Sequence, residues 1–432
     1  MTHSDEPGPL TADPRAAEHA RPSAPPGPGG SRAGLLLVLG LLTAAGPLAI
    51  DMYVPGLPAM GASLHTGGAA VQLTLTAFLA GVVVGQLVIG PLSDGLGRRR
   101  PLVAGCLGFA LAALACALAP GVEALVTARF VQGVAGAAGM VLARAVILDR
   151  FHGHDVARYI ALLGQILCVA PVVAPVIGGG IMAVSSWRAV FLALCVIGVL
   201  LAVGVIVGVP ESLPPQRRHR GGLPGTFRAM GHLVRHRAFL GHTLVLGLSS
   251  AALFAYISGS SFVFERIHGL SAGMYAVVFA VNSAGQLAAG TVFSRLAHRV
   301  RMNTLLTCSV ALATGGALAQ VLLTATVGES LTAAWITQFV TVAAFGTTVP
   351  AAITLGQHLG RTAPGAASAL LGGLQFLCGA LASSLVGLFG QASSLPMGLI
   401  MLGALVLCAL ALLILVRPWQ GLGEVTSHRA TR

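Results

Sequence analysis

From residue 34 to residue 416 the chain alternates long apolar runs with short polar breaks. Each run is about 20 residues, the length a helix needs to cross bilayer hydrocarbon at 1.5 Å per residue. The pattern predicts twelve spans, near 34–54, 70–92, 101–120, 122–148, 158–182, 189–209, 239–262, 272–294, 303–325, 331–354, 366–389 and 396–416. A longer polar break, 210–238, divides the sixth run from the seventh and reads as a cytoplasmic linker. Residues 1–33 are rich in Pro, Gly, Ala and Ser with scattered charge, the composition of a disordered tail. Residues 417–432 form a second polar tail. The first apolar run starts too late for a signal peptide, and no cleavage pattern follows it.

Composition agrees. Hydrophobic residues make up 55% of the chain and charged residues only 9%, against about 25% charged in a soluble domain. The expected fold class is therefore an all-α polytopic membrane protein. All seven cysteines lie in apolar runs and read as small core residues rather than as a disulfide or metal framework. The net charge of +12 would suit nucleic acid, but the arginine positions explain it otherwise. With the N-terminus inside, twenty arginines fall in inner segments and only Arg188 and Arg266 in outer loops. That is the positive-inside distribution, with both termini cytoplasmic and no nucleic-acid partner implied.

The two sets of six spans share a weak repeat. Gly85-Gln86-Leu87-Val88-Ile89-Gly90 recurs as Gly285-Gln286-Leu287-Ala288-Ala289-Gly290, and Ala161-Leu162-Leu163-Gly164 as Ala369-Leu370-Leu371-Gly372. Two matches six helices apart support two pseudo-symmetric halves, 34–209 and 239–416, with a site between them.

Ionisable groups inside spans are costly and usually functional. Asp51 stands near the outer end of the first run, beside Pro47, Pro55 and Pro58, which can break the helix there. Arg129 stands in the fourth run, one turn from Gln132. Counted along their helices, both residues fall in the outer half of the membrane, so direct or water-mediated pairing is geometrically possible. Snorkelling of Arg129 to the headgroups is the plain alternative.

Three motifs narrow the reading. The inner loop Gly90-Pro91-Leu92-Ser93-Asp94-Gly95-Leu96-Gly97-Arg98-Arg99-Arg100 has an acid, a turn-making glycine and a run of arginines. Such a cluster can latch the two halves, or merely anchor the loop at the inner face. This loop resembles a signature of the major facilitator superfamily, with Gly95 where the pattern has a basic residue. Arg129-Phe130-Val131-Gln132-Gly133-Val134-Ala135-Gly136-Ala137-Ala138 resembles a second signature. The fifth run carries Pro171, Pro175, Gly178, Gly179 and Gly180, similar to the antiporter signature of the drug-efflux branch.

Further stretches are similar to the Bcr/CflA multidrug-resistance family. They are Asp51-Met52-Tyr53-Val54-Pro55-Gly56-Leu57-Pro58, Ala143-Arg144-Ala145-Val146-Ile147-Leu148-Asp149, Trp187-Arg188-Ala189-Val190-Phe191, Pro210-Glu211-Ser212-Leu213 and the run from Phe254 to Phe264. The resemblance implies a monomeric twelve-helix antiporter in the bacterial inner membrane. It would export bicyclomycin- or phenicol-like drugs and need no cofactor beyond the proton gradient. It carries the proton site onto Asp51 and its cationic counterpart onto Arg129. A further acid common in related pumps is replaced by Thr43. Tyr53, Tyr256 and Phe262 are the candidate stacking residues for substrate. Gln132, Asn282, Gln286 and Gln375 are the candidate hydrogen-bonders. The alternative is a metabolite or amino-acid exporter without proton coupling. An enzyme is disfavoured, since no metal-ligand set or nucleophile–base pair lies within the runs; His152, His154 and Asp155 form only a loop cluster.

Overall fold

A computed structural model describes residues 32–218, 223–389, 393–421 and 423–424. The reading of 1–33 as disordered therefore concerns residues almost wholly outside this set, as does most of the C-terminal tail. Twelve helices are long and apolar enough to span a bilayer: α1 (Arg32–Ser63), α2 (Gly68–Leu96), α3 (Arg99–Ala117), α4 (Val122–Arg150), α5 (Arg158–Val184), α6 (Trp187–Gly208), α7 (Arg237–Ile267), α8 (Ala272–Leu296), α9 (Met302–Val327), α10 (Leu331–Leu359), α11 (Pro364–Leu388) and α12 (Leu395–Gln420). The described residues contain no strand. All twelve expected spans are present.

The boundaries differ instructively. α1 runs nine residues past its expected end, but it is broken. Regular α-helix stops at Asp51, a 3₁₀ turn covers Val54–Gly56, and helix resumes at Leu57. Pro55 has no N–H to offer the Asp51 carbonyl, and Pro58 none to offer Val54, so the helical ladder lapses there. α7 also runs further, closing in a π-helical turn at Phe262–Ile267.

α1–α6 and α7–α12 form the two halves, and corresponding helices pack alike through glycine. A Cβ on Gly81 or Gly133 would collide with the backbone of Phe130 or Phe78, so α2 and α4 touch main chain to main chain. Gly346 lies equally close to the Gln286 carbonyl, joining α10 to α8. Small residues allow this approach where lipid removes the hydrophobic drive between helices. The halves meet along α2 with α11 and α5 with α8. Large apolar side chains such as Leu111, Leu200, Val207 and Leu381 cover the outside. The linker helix Leu223–Val234 tucks Met230 and Leu233 beneath the C-terminal half.

The two ends of the bundle differ. One carries Arg98–Arg100, Arg150 and the linker; the other carries few arginines. At the arginine-poor end the halves are bonded together. Gln72 of α2 donates to the Ser258 carbonyl of α7 at 2.9 Å, and Thr76 meets Ser384 of α11 at 3.0 Å.

Candidate functional site

The break in α1 lies where the halves meet. Its 3₁₀ turn packs against α5 of its own half and against α7 and α8 of the other. A helix end leaves its last carbonyls without partners. Those of α1 find two uses. The Met52 carbonyl abuts Gly178 of α5, so closely that no Cβ fits there. The Ala49 carbonyl accepts from Arg129 Nη2 at 3.1 Å.

Arg129 is fully buried. Its Nη1 donates to Gln132 Oε1 at 2.6 Å, one helical turn on. Its guanidinium carbon lies 4.4 Å from the centre of the Tyr53 ring, 4.3 Å from that of Phe78 and 5.6 Å from that of Phe191. Cation–π contacts in a desolvated site contribute about 2 kcal/mol or more. Arg129 therefore does not snorkel.

Nor does it pair with Asp51. Asp51 is 3% exposed, and its Oδ1 has no hydrogen-bond partner. Of the direct and water-mediated pairings the sequence allows, the direct one is not made: the guanidinium donates to Gln132 and the Ala49 carbonyl and lies against three rings, and its Nε has no partner among the described residues. Thr43 is sealed off, returning its hydroxyl to the Leu39 carbonyl at 2.9 Å.

Five of the seven expected substrate-contacting residues are buried, those of each half among their own neighbours. Tyr53 lies under Arg129, tilted against Phe191, with its hydroxyl 3.4 Å from Thr74. Gln132 is committed to Arg129. In the other half, Asn282 donates to the Tyr256 hydroxyl at 3.0 Å and accepts from Trp335 Nε1 at 3.2 Å. Tyr256 stacks on Phe279 with ring centres 5.4 Å apart. Phe262 is buried beside a void of about 10 Å³ that it shares with Gln72 and Met397, room for a single water. Gln286 and Gln375 stay half-buried on α8 and α11.

Sequence reading missed three participants, Phe78, Phe191 and the Ala49 carbonyl, which build the seat of Arg129.

Pro171 and Pro175 lie inside α5, and the glycines that follow hold neighbours on opposite sides. Gly178 faces Met52 of its own half. Gly179 faces Ala276 of α8, whose Cβ would lie 2.7 Å from an added methyl.

At the arginine-rich end three separate sequence stretches meet in one charge cluster. Arg98 pairs with Asp94 at 2.6 Å and with Asp149, from the end of α4, at 3.0 Å. Its backbone N–H donates to Glu211 at 2.8 Å. Arg218 of the linker lies 3.7 Å from the same carboxylate, bringing a second guanidinium to a loop in which Gly95 replaces a base. Gly97 makes the turn with φ +89°, and Glu211 fills the space a Cβ would need. Gly90 packs loosely against Val141, and Arg99 caps the Ile206 carbonyl at the end of α6. Partial burial of Glu211 works to raise its pKa. It is outweighed by the N–H groups of Leu213, Arg98 and Arg99 and by the Arg218 charge, which hold it below the usual range.

Residues 39–383 match the family model described as Major Facilitator Superfamily. The chain is 36% identical over 386 residues to an uncharacterized MFS-type transporter, YdgK, of Bacillus subtilis, covering 89% of this chain and 95% of that one. It is 31% identical to a bicyclomycin resistance protein homolog of Haemophilus influenzae, over 64% of this chain and 70% of the relative. A multidrug resistance protein, MdtL, of Salmonella heidelberg is 30% identical over 55% of this chain and 60% of its own. Among solved structures, a D-xylose-proton symporter superposes with TM-score 0.69 at 16% identity, covering 90% of this chain and 98% of that one. A mutant of the nucleoside transporter NupG superposes with TM-score 0.70 at 13% identity, covering 88% and 99%. These two show the fold alone. With twelve spans in two alike halves and these relatives, the chain is a membrane transporter rather than an enzyme: it belongs to the Major Facilitator Superfamily and, within it, to the drug-efflux branch of the multidrug- and bicyclomycin-resistance proteins.

Proposed function

We propose that the chain is a proton-driven antiporter that exports small-molecule drugs of the bicyclomycin or phenicol type. It works as a monomer in the bacterial inner membrane, with both termini and the arginine-rich end in the cytoplasm. One observation carries the reading: Asp51, a buried carboxyl without an ion-pair partner, at the break in α1 between the halves. An ionised carboxylate in such a place costs several kcal/mol. The negative end of the α1 dipole adds to that cost. The neutral acid suits the closed outer end described here. Opening toward the cytoplasm exposes Asp51 to a less acidic solution, and the proton leaves. The halves then admit drug between Tyr53 and Gln132 on one side and Tyr256, Asn282, Gln286 and Gln375 on the other. Opening outward returns a proton to Asp51 and releases the drug. Names of relatives support the substrate class, and the proline-glycine run of α5 supports exchange rather than uptake.

The test is bicyclomycin-dependent proton flux in everted membrane vesicles, with and without a pH gradient. Wild type should dissipate the gradient on drug addition, and Asp51→Asn should not. Full coupled flux in Asp51→Asn overturns the assignment of the proton to Asp51. Export that persists without a gradient marks an uncoupled metabolite-type exporter.

A further inference from the structure

We propose that the junction between the start of α7 and the end of α12 binds the phosphate of an anionic phospholipid. Arg237, Arg417 and Trp419 form the site, with Arg235 beside them.

The junction lies at the arginine-rich end of the C-terminal half. Near its end α12 passes through a π turn, Leu412–Val416, bends at Arg417 with φ +53° and closes in the 3₁₀ turn Pro418–Gln420. The start of α7 packs against this ending. A Cβ added to Gly241 would lie 2.8 Å from Val416 Cγ2 and 2.9 Å from Leu415 Cβ. Arg237, the first residue of α7, is exposed and donates through Nη2 to Gln420 Oε1 at 3.3 Å. Gln420 in turn donates its backbone N–H to the Arg417 carbonyl at 2.8 Å. Two arginines from the two sequence ends of the half are thus tied to one small turn. Arg235, also exposed, stands two residues before Arg237.

The charge of these groups is not neutralised. In the N-terminal half Arg98 pairs with Asp94 and Asp149, and Arg218 with Glu211. Among the described residues no carboxylate pairs with Arg235, Arg237 or Arg417. Glu424, four residues beyond Gln420, is engaged elsewhere: it accepts from the backbone N–H of Asn303 at 3.3 Å and from its side-chain amide at 3.2 Å. Gln420 is neutral and takes one of the five N–H donors of Arg237. The remaining donors form the planar fork that suits a phosphate.

Trp419 sets the depth. Its side chain is 63% exposed, and it follows by little more than a turn Leu413 and Ile414, which are exposed on the apolar outside of α12. Tryptophan at such a boundary sits at the level of the headgroups. The arginines therefore stand where lipid phosphates are, rather than in open solution. Phosphatidylcholine cancels its phosphate with its own ammonium, whereas an anionic lipid gains about fivefold in affinity for each arginine near the surface.

Brominated lipids test the site in nanodiscs of the full chain. Bromines at carbons 6 and 7 of the acyl chain quench tryptophan near the headgroups, and the component missing from Trp419→Phe is that of Trp419. Brominated phosphatidylglycerol, as a minor part of a phosphatidylcholine bilayer, should quench that component at least tenfold more per mole than brominated phosphatidylcholine does. Arg237→Gln with Arg417→Gln should remove the preference and leave quenching by brominated phosphatidylcholine as it was, so that Trp419 is seen to keep its depth. Lysine at both positions should retain the preference. High salt screens exposed charge and should lower it in the wild type without any substitution. Equal quenching by the two lipids in the wild type overturns the proposal, as does a preference unmoved by salt. A preference that survives the double glutamine variant overturns the assignment to Arg237 and Arg417. Displacement of the lipid by inorganic phosphate, at the same ionic strength as a chloride control, overturns the assignment to lipid in favour of a free anion.

Discussion

Arg129 donates to the carbonyl oxygen of Ala49 at 3.1 Å, two residues before Asp51, and leaves the Asp51 carboxyl without a partner. The arrangement separates two tasks that an ion pair would merge. The guanidinium never deprotonates, so a permanent partner would hold Asp51 ionised through the cycle. A carbonyl dipole, Gln132 and three rings hold Arg129 without recourse to Asp51. Under the proposed function, a proton can then come and go at Asp51 without unseating Arg129.

Stability should divide the two residues. Removing one partner of a buried ion pair costs about 3–5 kcal/mol. Asp51→Asn breaks no such pair, so its thermal unfolding temperature in detergent should stay level or rise while coupled export is lost. Arg129→Lys removes the planar group that lies among Tyr53, Phe78 and Phe191 and bonds two acceptors at once. It should destabilise by about 2–4 kcal/mol, the loss of desolvated cation–π contact and of one charged hydrogen bond. Equal destabilisation by both substitutions would restore the ion pair.

The adjacent glycines of α5 should behave differently when each becomes alanine. The Gly178 methyl meets the Met52 carbonyl, part of the backbone that frames the site, and neither helix can yield without moving the other. Overpacking of this kind costs about 1–3 kcal/mol or more, so Gly178→Ala should lower the unfolding temperature and abolish export. The Gly179 methyl meets Ala276 across the interface at 2.7 Å, where the halves can part. Gly179→Ala should keep its unfolding temperature yet label faster with an impermeant thiol reagent at a cysteine placed at residue 56. Equal loss of stability in both variants would remove the distinction.

The twelve spans, and the placing of Asp51 and Arg129 within them, were legible in the sequence. Length and hydropathy decide spans, and a charge in an apolar run is conspicuous. Depth along two helices does not say which way each side chain turns. Nor does it reveal that regular helix ends at Asp51 and that the Ala49 carbonyl there accepts from Arg129. Asp94, Asp149 and Glu211 were visible in three separate motifs. Only the fold brings Asp94 and Asp149 onto the Arg98 side chain and Glu211 onto its backbone N–H. Tyr256 was read as a stacking residue for substrate and Asn282 as a hydrogen-bonder; only the fold shows that they bond each other and that Asn282 also accepts from Trp335.

The Glu211 latch should weaken in acid. Its pKa is lowered in the fold, so its stabilisation is present above the ordinary carboxylate range and is lost as pH falls through the lowered value. Wild type should lose part of its thermal stability over that acid interval. Glu211→Gln should start lower at neutral pH and show a flatter pH profile. Gly97→Ala should mimic it, since a methyl both displaces the carboxylate and strains a backbone at φ +89°. An unchanged slope in Glu211→Gln would show that Glu211 is not the acid-sensitive group.

Gln72 offers the last prediction, because it holds the arginine-poor end shut across the two halves. Its Nε2 donates to the Ser258 carbonyl at 2.9 Å, and its Oε1 borders Gly387 of α11 without a partner of its own. A buried hydrogen bond contributes about 1 kcal/mol, which changes a two-state population ratio about fivefold. Ser258 has no substitute donor in a closed interface, but gains water when that end opens. Gln72→Ala should therefore favour the open form and raise the labelling rate of a cysteine at residue 263 about fivefold. Each half should keep its own packing, since Gln72 lies at their junction. Gln72→Glu should favour opening further, by setting a carboxylate against the Ser258 carbonyl. If Gln72→Ala left the labelling rate unchanged, the closed end would be held instead by the Thr76–Ser384 bond and the packing of α2 with α11 and α5 with α8.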